Sequence, residues 1–381
     1  MARRAHLSIR NFAQIAEVEL DLGDLTVLVG AQATGKSLAL QWMKTALDGK
    51  QLTSALRDAG GEVDKSEVLI DLIFGAGMGS SWGQDSTVSF NDMNIRPSAI
   101  SRRGSGKETV FYIPAHRSML ISDGWAAPFQ RLTSETPVVA RLFSQNLFDR
   151  FSTRDQGRLF PLDRVLKKQY RVLIDEAVFH GGTVGLEQDV QHTKRLKLTH
   201  GSAQLPFMTW TAGQREFTPL LLGLYHLLPP RKFLKQPDIG WVIIEEPEMG
   251  LHPHAVTVFL LLVLDLLWRG YRVVLSTHSA HVLTAVWMLR RLQENHARWQ
   301  LVCDGFDVGE QALQKVAEAA LKKSYRTYLL EFGKDHKVRS KDISSLDPDS
   351  EDERIAGWGG LTGFSSRFGD AVRAAVNEGG K

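Results

Sequence analysis

The segment that most constrains this chain is GAQATGKS, residues 30–37, which matches the pattern G-x-x-x-x-G-K-S. An apolar run, LTVLVG, leads into it, and a helical pattern runs from Ser37 to about Leu47. In such a loop the backbone N–H groups surround phosphate oxygens, and the following helix adds the positive end of its dipole. The strand–loop–helix context makes a chance glycine-rich turn a poor explanation. The segment therefore predicts a phosphate-binding loop in an α/β protein.

Each position of this loop has an expected task. Gly30 and Gly35 allow the backbone to curl, Lys36 would reach the β- and γ-phosphates, and the Ser37 hydroxyl would ligate Mg²⁺. ATP and Mg²⁺ are the expected cofactors. The candidate nucleotide-binding residues of the loop are Gly30, Ala31, Gln32, Ala33, Thr34, Gly35, Lys36 and Ser37.

A second candidate element is WVIIEEPE, residues 241–248, an apolar strand that ends in two carboxylates. Glu245 would hold Mg²⁺, and Glu246 would orient and deprotonate the attacking water. Taken alone, such a pair could equally be a solvated strand cap. Together with the phosphate loop it predicts a site that hydrolyses nucleotide, with Lys36 and Glu246 as catalytic residues.

Two further motifs point to a site shared between subunits. WTAGQRE, residues 210–216, opens a helix and offers a second anion-binding helix end, and LSTHS, residues 275–279, ends a strand at His278. One protomer cannot easily aim two helix ends at the same γ-phosphate, whereas two protomers packed head to tail can. The alternatives are an ordinary helix cap and a core histidine with satisfied hydrogen bonds.

With these motifs the chain resembles the ABC ATPase superfamily. Thr211, Ala212, Gly213 and Gln214 are similar to the signature motif that contacts ATP on the partner subunit, residues 248–253 stand where the D-loop stands, and His278 matches the switch histidine. The resemblance implies a homodimer, or a higher assembly of dimers, with shared ATP sites.

The chain departs from that pattern at several positions. Thr211 and Ala212 replace Ser and Gly, and Glu245 replaces Asp, so we expect slow hydrolysis. No Q-loop glutamine can be placed, and His116 and Arg117 occupy the approximate region with an open role.

The opening LSIRNFAQI resembles the SMC, RecF and OLD-type ATPases, whose N-terminal antiparallel sheet helps to hold the adenosine, and it makes Asn11 a candidate contact. EEPEMGLHP and FYIPAHR favour the OLD-like branch. Within that branch, QATGKS and the short, compact chain most resemble the ATPase subunit of the PARIS anti-phage defence system. The implied role is a sensor or scaffold that holds and releases a separate effector, a nuclease or toxin, with a phage protein or DNA as the trigger.

Alternation of strands and helices predicts an α/β fold: an ABC-type core with a mainly parallel sheet, plus an N-terminal antiparallel sheet. The core is expected at 1–117 and 205–300, a helical and β-ribbon insertion at 118–204, and a C-terminal α/β extension from 301 to 381 that completes the core or serves assembly. We also expect strands at SEVLIDLIF (66–74) and STVSF (86–90), one continuous helix at 162–178, and a ribbon of TVGLEQD, KRLKLTHG and LPFMTW.

Composition indicates which partners and which cellular compartment to expect. A net charge of +3 is too small to argue for nucleic-acid binding by itself. Cys303 is the single cysteine, which suits a reducing cytoplasm. The most apolar stretch, residues 256–268, is shorter than the roughly 20 residues that a membrane span needs, so no membrane partner is expected.

Two other functions compete with the sensor. One is a RecF-like DNA repair or recombination ATPase that binds DNA as an ATP-dependent dimer, with the basic pairs Arg3-Arg4, Arg102-Arg103 and Arg290-Arg291 as contributors. The other is a transporter nucleotide-binding subunit, which the missing Q-loop disfavours. The acidic run DPDSEDE is expected to be a solvated loop, so the chain is not expected to cut nucleic acid itself.

Overall fold

The structure is a computed structural model, and it describes residues 5–122, 124–133, 135–152, 157–163, 165–188, 194–228 and 235–379. The basic pair Arg3-Arg4 lies outside this part. The strands are β1 (Ala5–Phe12), β2 (Ile15–Leu22), β3 (Leu25–Val29), β4 (Trp82–Phe90), β5 (Met93–Asn94), β6 (Val110–Ile113), β7 (Ile121–Ser122), β8 (Trp125–Ala126), β9 (Gly157–Phe160), β10 (Thr183–Gln188), β11 (Lys194–His200), β12 (Ala203–Pro206), β13 (Trp241–Glu245), β14 (Arg272–Ser276), β15 (Tyr325–Phe332) and β16 (Val338–Asp342). The helices are α1 (Lys36–Asp58), α2 (Ser66–Phe74), α3 (Val138–Ser152), α4 (Lys168–Ile174), α5 (Ala212–Leu227), α6 (Pro253–Trp268), α7 (Ala280–Glu294), α8 (Gln300–Gly305), α9 (Glu310–Ala320), α10 (Glu353–Ala356) and α11 (Gly363–Gly379).

One large sheet organises the chain, with ten strands in the order β5-β4-β1-β2-β16-β15-β3-β14-β13-β6. The half from β15 to β6 is parallel, and antiparallel pairs join β15 to β16, β2 to β1, β1 to β4 and β4 to β5. The predicted fold class, mainly parallel with an N-terminal antiparallel part, is confirmed. The antiparallel strands continue the same sheet, because β16 pairs with β2.

The central strand β3 is buried on both faces, which is why its sequence is continuously apolar. Val27 and Val29 belong to one hydrophobic core and Leu28 to the other, as the two-residue period of a strand requires. Helix α6 fills the first core, and α1 packs in the second. The phosphate loop thus leaves the middle of a three-layer structure.

Residues beyond 301 contribute a central strand. β15 lies parallel to β3, with Tyr325 opposite Leu25 and Leu329 opposite Val29. Tyr328 donates its hydroxyl to the Asp21 carbonyl at 3.1 Å, which ties β15 to β2. β3 therefore has β14 on one side and a strand from the C-terminal region on the other.

The prediction of a strand at 66–74 is wrong, since these residues form α2. Leu69, Ile70, Ile73 and Phe74 are buried, a spacing that gives a helix one apolar face. Phe74 packs on Trp42 of α1 with ring centroids 4.8 Å apart. A short apolar run fits either a strand or a buried helix, and packing against α1 decided the outcome here. The strand predicted at 86–90 is confirmed within β4.

The insertion also differs from expectation. The helix predicted at 162–178 begins only at α4 and ends in a π-helical turn, Asp175–Phe179. The ribbon exists as the antiparallel sheet β12-β11-β10-β9, but LPFMTW leaves it after Pro206 for a 3-10 turn, Phe207–Thr209. Among the described helices, none has both the length and the apolarity to cross a bilayer.

Candidate functional site

The phosphate loop joins the end of β3 to the start of α1, as its sequence predicted. Gly30 has a φ of +148°, and a Cβ atom there would lie 2.2 Å from the Leu330 carbonyl oxygen of β15. Gly35 has a φ of +78° and packs on Ile15. Both positions therefore require glycine, one because a neighbouring strand passes so close and the other because its conformation is left-handed.

Lys36 is buried at the base of the loop. Its ammonium donates to the carbonyls of Gly30 at 2.8 Å and Ala31 at 2.9 Å. Burial lowers the pKa of Lys36, and the carboxylates of Glu246, Glu248 and Glu245 partly offset that shift. The cation thus lies among three acids and next to the loop that would surround phosphates.

The N-terminal turn contacts the loop through a residue that the sequence analysis missed. Gln14 donates its side-chain amide to the Ala33 carbonyl at 2.9 Å. Asn11, the residue predicted for adenosine, is exposed at the end of β1 with a φ of +51°, and its amide donates to the Asp85 carbonyl at 3.3 Å. The prediction for Asn11 remains untested, and Gln14 is the residue of this turn whose side chain hydrogen-bonds to the loop.

Glu245 is buried at the end of β13, 4% exposed. Its Oε2 accepts the Ala115 N–H at 3.3 Å, while Oε1 has no hydrogen-bond partner among the described residues. Burial raises the pKa of Glu245, and the Ser37 hydroxyl partly offsets the shift by hydrogen bonding. A buried carboxylate oxygen without a partner, beside a serine hydroxyl, has the donor chemistry that suits Mg²⁺.

Glu246 and His278 come together at the ends of two adjacent strands. Glu246 Oε1 lies 3.5 Å from His278 Nε2, and each side chain is about one-third exposed. In the sheet, Glu245 lies opposite Ser276 and Ser276 opposite Leu28, so β13, β14 and β3 end at one edge. The structure thus places Lys36, Ser37, Glu245, Glu246 and His278 around the same point.

Glu248 is a second residue that the motif analysis did not single out for this site. Its Oε1 accepts the Thr277 hydroxyl at 2.7 Å and the His278 N–H at 2.6 Å. It therefore fixes the loop that carries the imidazole. The signal available in the sequence was its position two residues after Glu246.

The signature-like turn lies elsewhere on the surface. Thr211 caps α5: its hydroxyl accepts the Gln214 N–H at 3.3 Å, and the Gln214 side chain accepts the Thr211 N–H at 3.2 Å. A Cβ atom on Gly213 would lie 2.9 Å from the Gly250 carbonyl, so this turn packs on residues 248–253. Thr211 and Ala212 are exposed.

A cavity of about 330 Å³ opens beside that turn. Its lining comes from residues 177–180, 211–214 and 250–255, and none of these belongs to the phosphate loop. The exposed N-terminus of α5 and the cavity beside it are thus accessible to a group of another molecule.

Three of the arginines suggested for DNA, Arg103, Arg290 and Arg291, make contacts within the described part of the chain. Arg290 lies 3.7 Å and Arg291 3.1 Å from Glu294, and Arg291 also pairs with Asp347 at 3.2 Å. Arg103 donates to the Asn94 carbonyl. Nothing in these contacts favours the RecF-like alternative, which stays a prediction.

In a comparison with known families, residues 200–284 match the family described as "AAA domain, putative AbiEii toxin, Type IV TA system". The matched segment includes the signature-like turn, the acidic strand end and His278. None of the curated proteins compared with the chain matches it.

Solved structures similar to the chain include three SMC head domains. One is an SmcHead bound to the C-winged helix domain of ScpA (10% identity, TM-score 0.45, covering 88% of this chain and 96% of that one). The others are the SMC head domain from Thermotoga maritima (11%, 0.38, 89% and 99%) and the Smc head domain with an extended coiled coil bound to the C-terminal domain of ScpA from Pyrococcus furiosus (9%, 0.41, 88% and 95%).

Proposed function

We propose that the chain is an ABC-type ATPase whose nucleotide site is completed by a second copy of the chain. The observation that carries the proposal is the convergence of Lys36, Glu245, Glu246 and His278 at one sheet edge, while the turn at Gly213 faces a separate surface cavity. The N-terminus of α5 can bind an anion, and in a dimer that anion would be the γ-phosphate of ATP bound to the partner's phosphate loop.

In this mechanism Ser37 and Glu245 would hold Mg²⁺, which would supply positive charge against the ATP phosphates. Lys36 is already placed at the loop and stabilises the same phosphates. Glu246 takes a proton from water as the water oxygen bonds to the γ-phosphorus and the bond to the β–γ bridging oxygen breaks. His278 donates to a γ-phosphate oxygen, and Glu248 keeps it in place through the His278 N–H.

A mixing experiment tests the shared site. Lys36→Ala removes the phosphate-loop cation, and Ala212→Glu places a negative charge on the exposed helix end that would face the partner's γ-phosphate. Each variant alone should be inactive. A 1:1 mixture should regain ATPase activity up to about a quarter of wild type, because half of the dimers are mixed and each mixed dimer has one intact site out of two.

The control is wild type mixed 1:1 with either variant, which reports how freely subunits exchange. If exchange is shown and the two inactive variants still do not complement each other, the sites are not shared. The same conclusion would follow if ATPase activity stayed strictly proportional to protein concentration through the range in which the dimer dissociates.

For the biological role we propose a sensor or scaffold that holds a separate effector, a nuclease or toxin, in an OLD-like anti-phage system. The description of the matching family names a toxin of a type IV toxin–antitoxin system, which supports a place among such systems. Native mass spectrometry of the protein purified with its neighbouring gene products, in ATP and Mg²⁺, tests this. A stable complex with a second protein is expected, and a bare dimer or a dimer with only nucleic acid would contradict it.

A further inference from the structure

A fully buried arginine lies directly behind the two acids. Arg117 is 0% exposed, and its guanidinium donates to the carbonyls of Glu245 at 2.8 Å and Glu246 at 3.3 Å, as well as to the Pro114 carbonyl at 3.0 Å. Arginine is rarely buried to this extent without a task or a partner. Here one side chain holds the backbone of both residues assigned to Mg²⁺ and to the attacking water.

The same arginine also contacts the signature helix. Its Nε donates to the Glu216 carbonyl at 3.4 Å and lies 3.7 Å from the Glu216 carboxylate. The Glu216 carboxylate accepts the backbone N–H of Arg117 at 3.1 Å, and it also accepts the Ser118 hydroxyl. Glu216 lies on α5, about one turn after Gly213. Arg117 therefore joins the end of β13 to the helix whose N-terminus would face the partner's nucleotide.

Backbone geometry explains why this contact matters for Glu246. Its φ is +40°, a left-handed conformation that residues with a side chain rarely adopt. Its N–H donates to the Ser276 carbonyl at 2.9 Å, and its carbonyl is held by Arg117. A planar fork with several fixed donors can satisfy these carbonyls together, which a lysine ammonium cannot do in the same geometry. The orientation of the Glu246 carboxylate thus depends on Arg117.

We propose that Arg117 is a positioning residue that couples the two nucleotide sites of the dimer, an inference that rests on the proposed function. Phosphate bound at residues 211–214 belongs to the neighbouring site. Seating of that phosphate sets the position of α5, Glu216 carries this position to Arg117, and Arg117 sets Glu246 in its own site. Occupation of one site therefore orients the base of the other.

Two variants test the link. Arg117→Lys keeps the positive charge and removes the planar guanidinium. Glu216→Gln keeps the shape of the side chain and replaces one carboxylate oxygen by an NH₂ donor. That donor would face the backbone N–H of Arg117 or the Ser118 hydroxyl. Each should lower kcat roughly tenfold to a hundredfold, the usual effect of misplacing a catalytic group by about 1 Å. The Kd for ATP should stay within about twofold of wild type, and the Hill coefficient for ATP hydrolysis should fall from above 1 to 1.

A double-mutant cycle separates positioning from simple loss of structure. Combining Arg117→Lys with Glu246→Gln should give the rate of Glu246→Gln alone, since the arginine acts through that carboxylate. An equal drop in both backgrounds would overturn the proposal, as would a wild-type Hill coefficient of 1 or unchanged kcat in both single variants. If Arg117→Lys does not fold, Glu216→Gln carries the same cycle.

The matched control is Arg141→Lys. Arg141 is also buried, at 7% exposure, but it stacks on the Phe129 ring at 3.9 Å instead of contacting the acids. The Arg141→Lys variant should have the kcat and the Hill coefficient of wild type. Failure of the proposed function is recognised separately, because Glu246→Gln alone would then hydrolyse ATP at the wild-type rate.

Discussion

The imidazole Nε2 of His278 lies 3.5 Å from Oε1 of Glu246, although the two residues end different strands. Glu248 holds the His278 N–H, and Arg117 holds the Glu246 carbonyl, so both partners are fixed through their backbones. The pair is therefore held beside Lys36 by contacts to the backbone. Such an arrangement stabilises charge without reorganisation at the moment of reaction.

Glu246→Gln should lower kcat about 10²- to 10⁴-fold, the range lost with a general base, because the amide cannot take a proton from water. ATP affinity should remain, and the protein should accumulate as an ATP-loaded dimer. Light scattering during size-exclusion chromatography with ATP and Mg²⁺ measures this directly. Glu294→Gln, on the exposed end of α7, is the control; a Glu246→Gln variant that is monomeric in ATP or fully active would show that the base is misassigned.

Glu245→Gln should separate stability from activity. Where the wild-type carboxylate is ionised, it is buried with one oxygen unpartnered, and removing that charge should stabilise the protein by about 1–3 kcal/mol. Urea unfolding measures the gain, while Mg²⁺-dependent hydrolysis should be lost.

The pH dependence of that gain has a defined sign. Burial raises the pKa of Glu245, so the folded state favours the protonated acid, and wild type loses stability as pH rises from the ordinary carboxyl pKa through the raised one. The difference between variant and wild type should vanish below about pH 4 and be largest above the raised pKa. A variant less stable than wild type at pH 8 would contradict this account.

His226 should make the fold sensitive to acid. Burial, together with the nearby Arg150 guanidinium, lowers the pKa of His226 to about 4, and its ring stacks on Phe111 with centroids 4.8 Å apart. The unfolded chain takes up the proton near pH 6.5 and the folded chain only near 4, so stability present above pH 6.5 is lost as pH falls through this window. The loss should reach roughly 3 kcal/mol.

In wild type the urea midpoint of unfolding should fall as the pH is lowered from 6.5 to 4. His226→Phe should reduce that fall, independently of its effect on stability at pH 8. His296→Phe, an exposed position after α7, is the control and should leave the slope intact. An unchanged slope in His226→Phe would show that other groups cause the acid sensitivity.

Local patterns predicted the parts of the fold whose causes are local. The phosphate loop, β13 with its two acids, and the capped start of α5 could be read from the sequence because each depends on a few neighbouring residues. Helix α2 could not, since Leu69 to Phe74 fit either element until α1 supplied a surface.

The supporting residues of the site escaped prediction for a different reason. Arg117 contacts Glu216 and Glu246, which lie 99 and 129 residues further along the chain. Gln14, in a turn that carries no motif, contacts Ala33 from 19 residues away. Contacts of that kind are created by the pairing of strands. A single sequence does not show which strands will be neighbours, so the residues that hold the catalytic groups in place became visible only in the folded chain.

Insertion of β15 beside β3 has a consequence for synthesis in the cell. The phosphate loop needs β14, from residue 272, and β15, from residue 325, on either side of β3 before Gly30 meets Leu330. A chain emerging from the ribosome thus carries its nucleotide-binding motif early, but the strand that flanks β3 on one side is complete only after residue 332 has left the exit tunnel. We expect nascent chains and prematurely terminated products that lack β15 to capture ATP poorly.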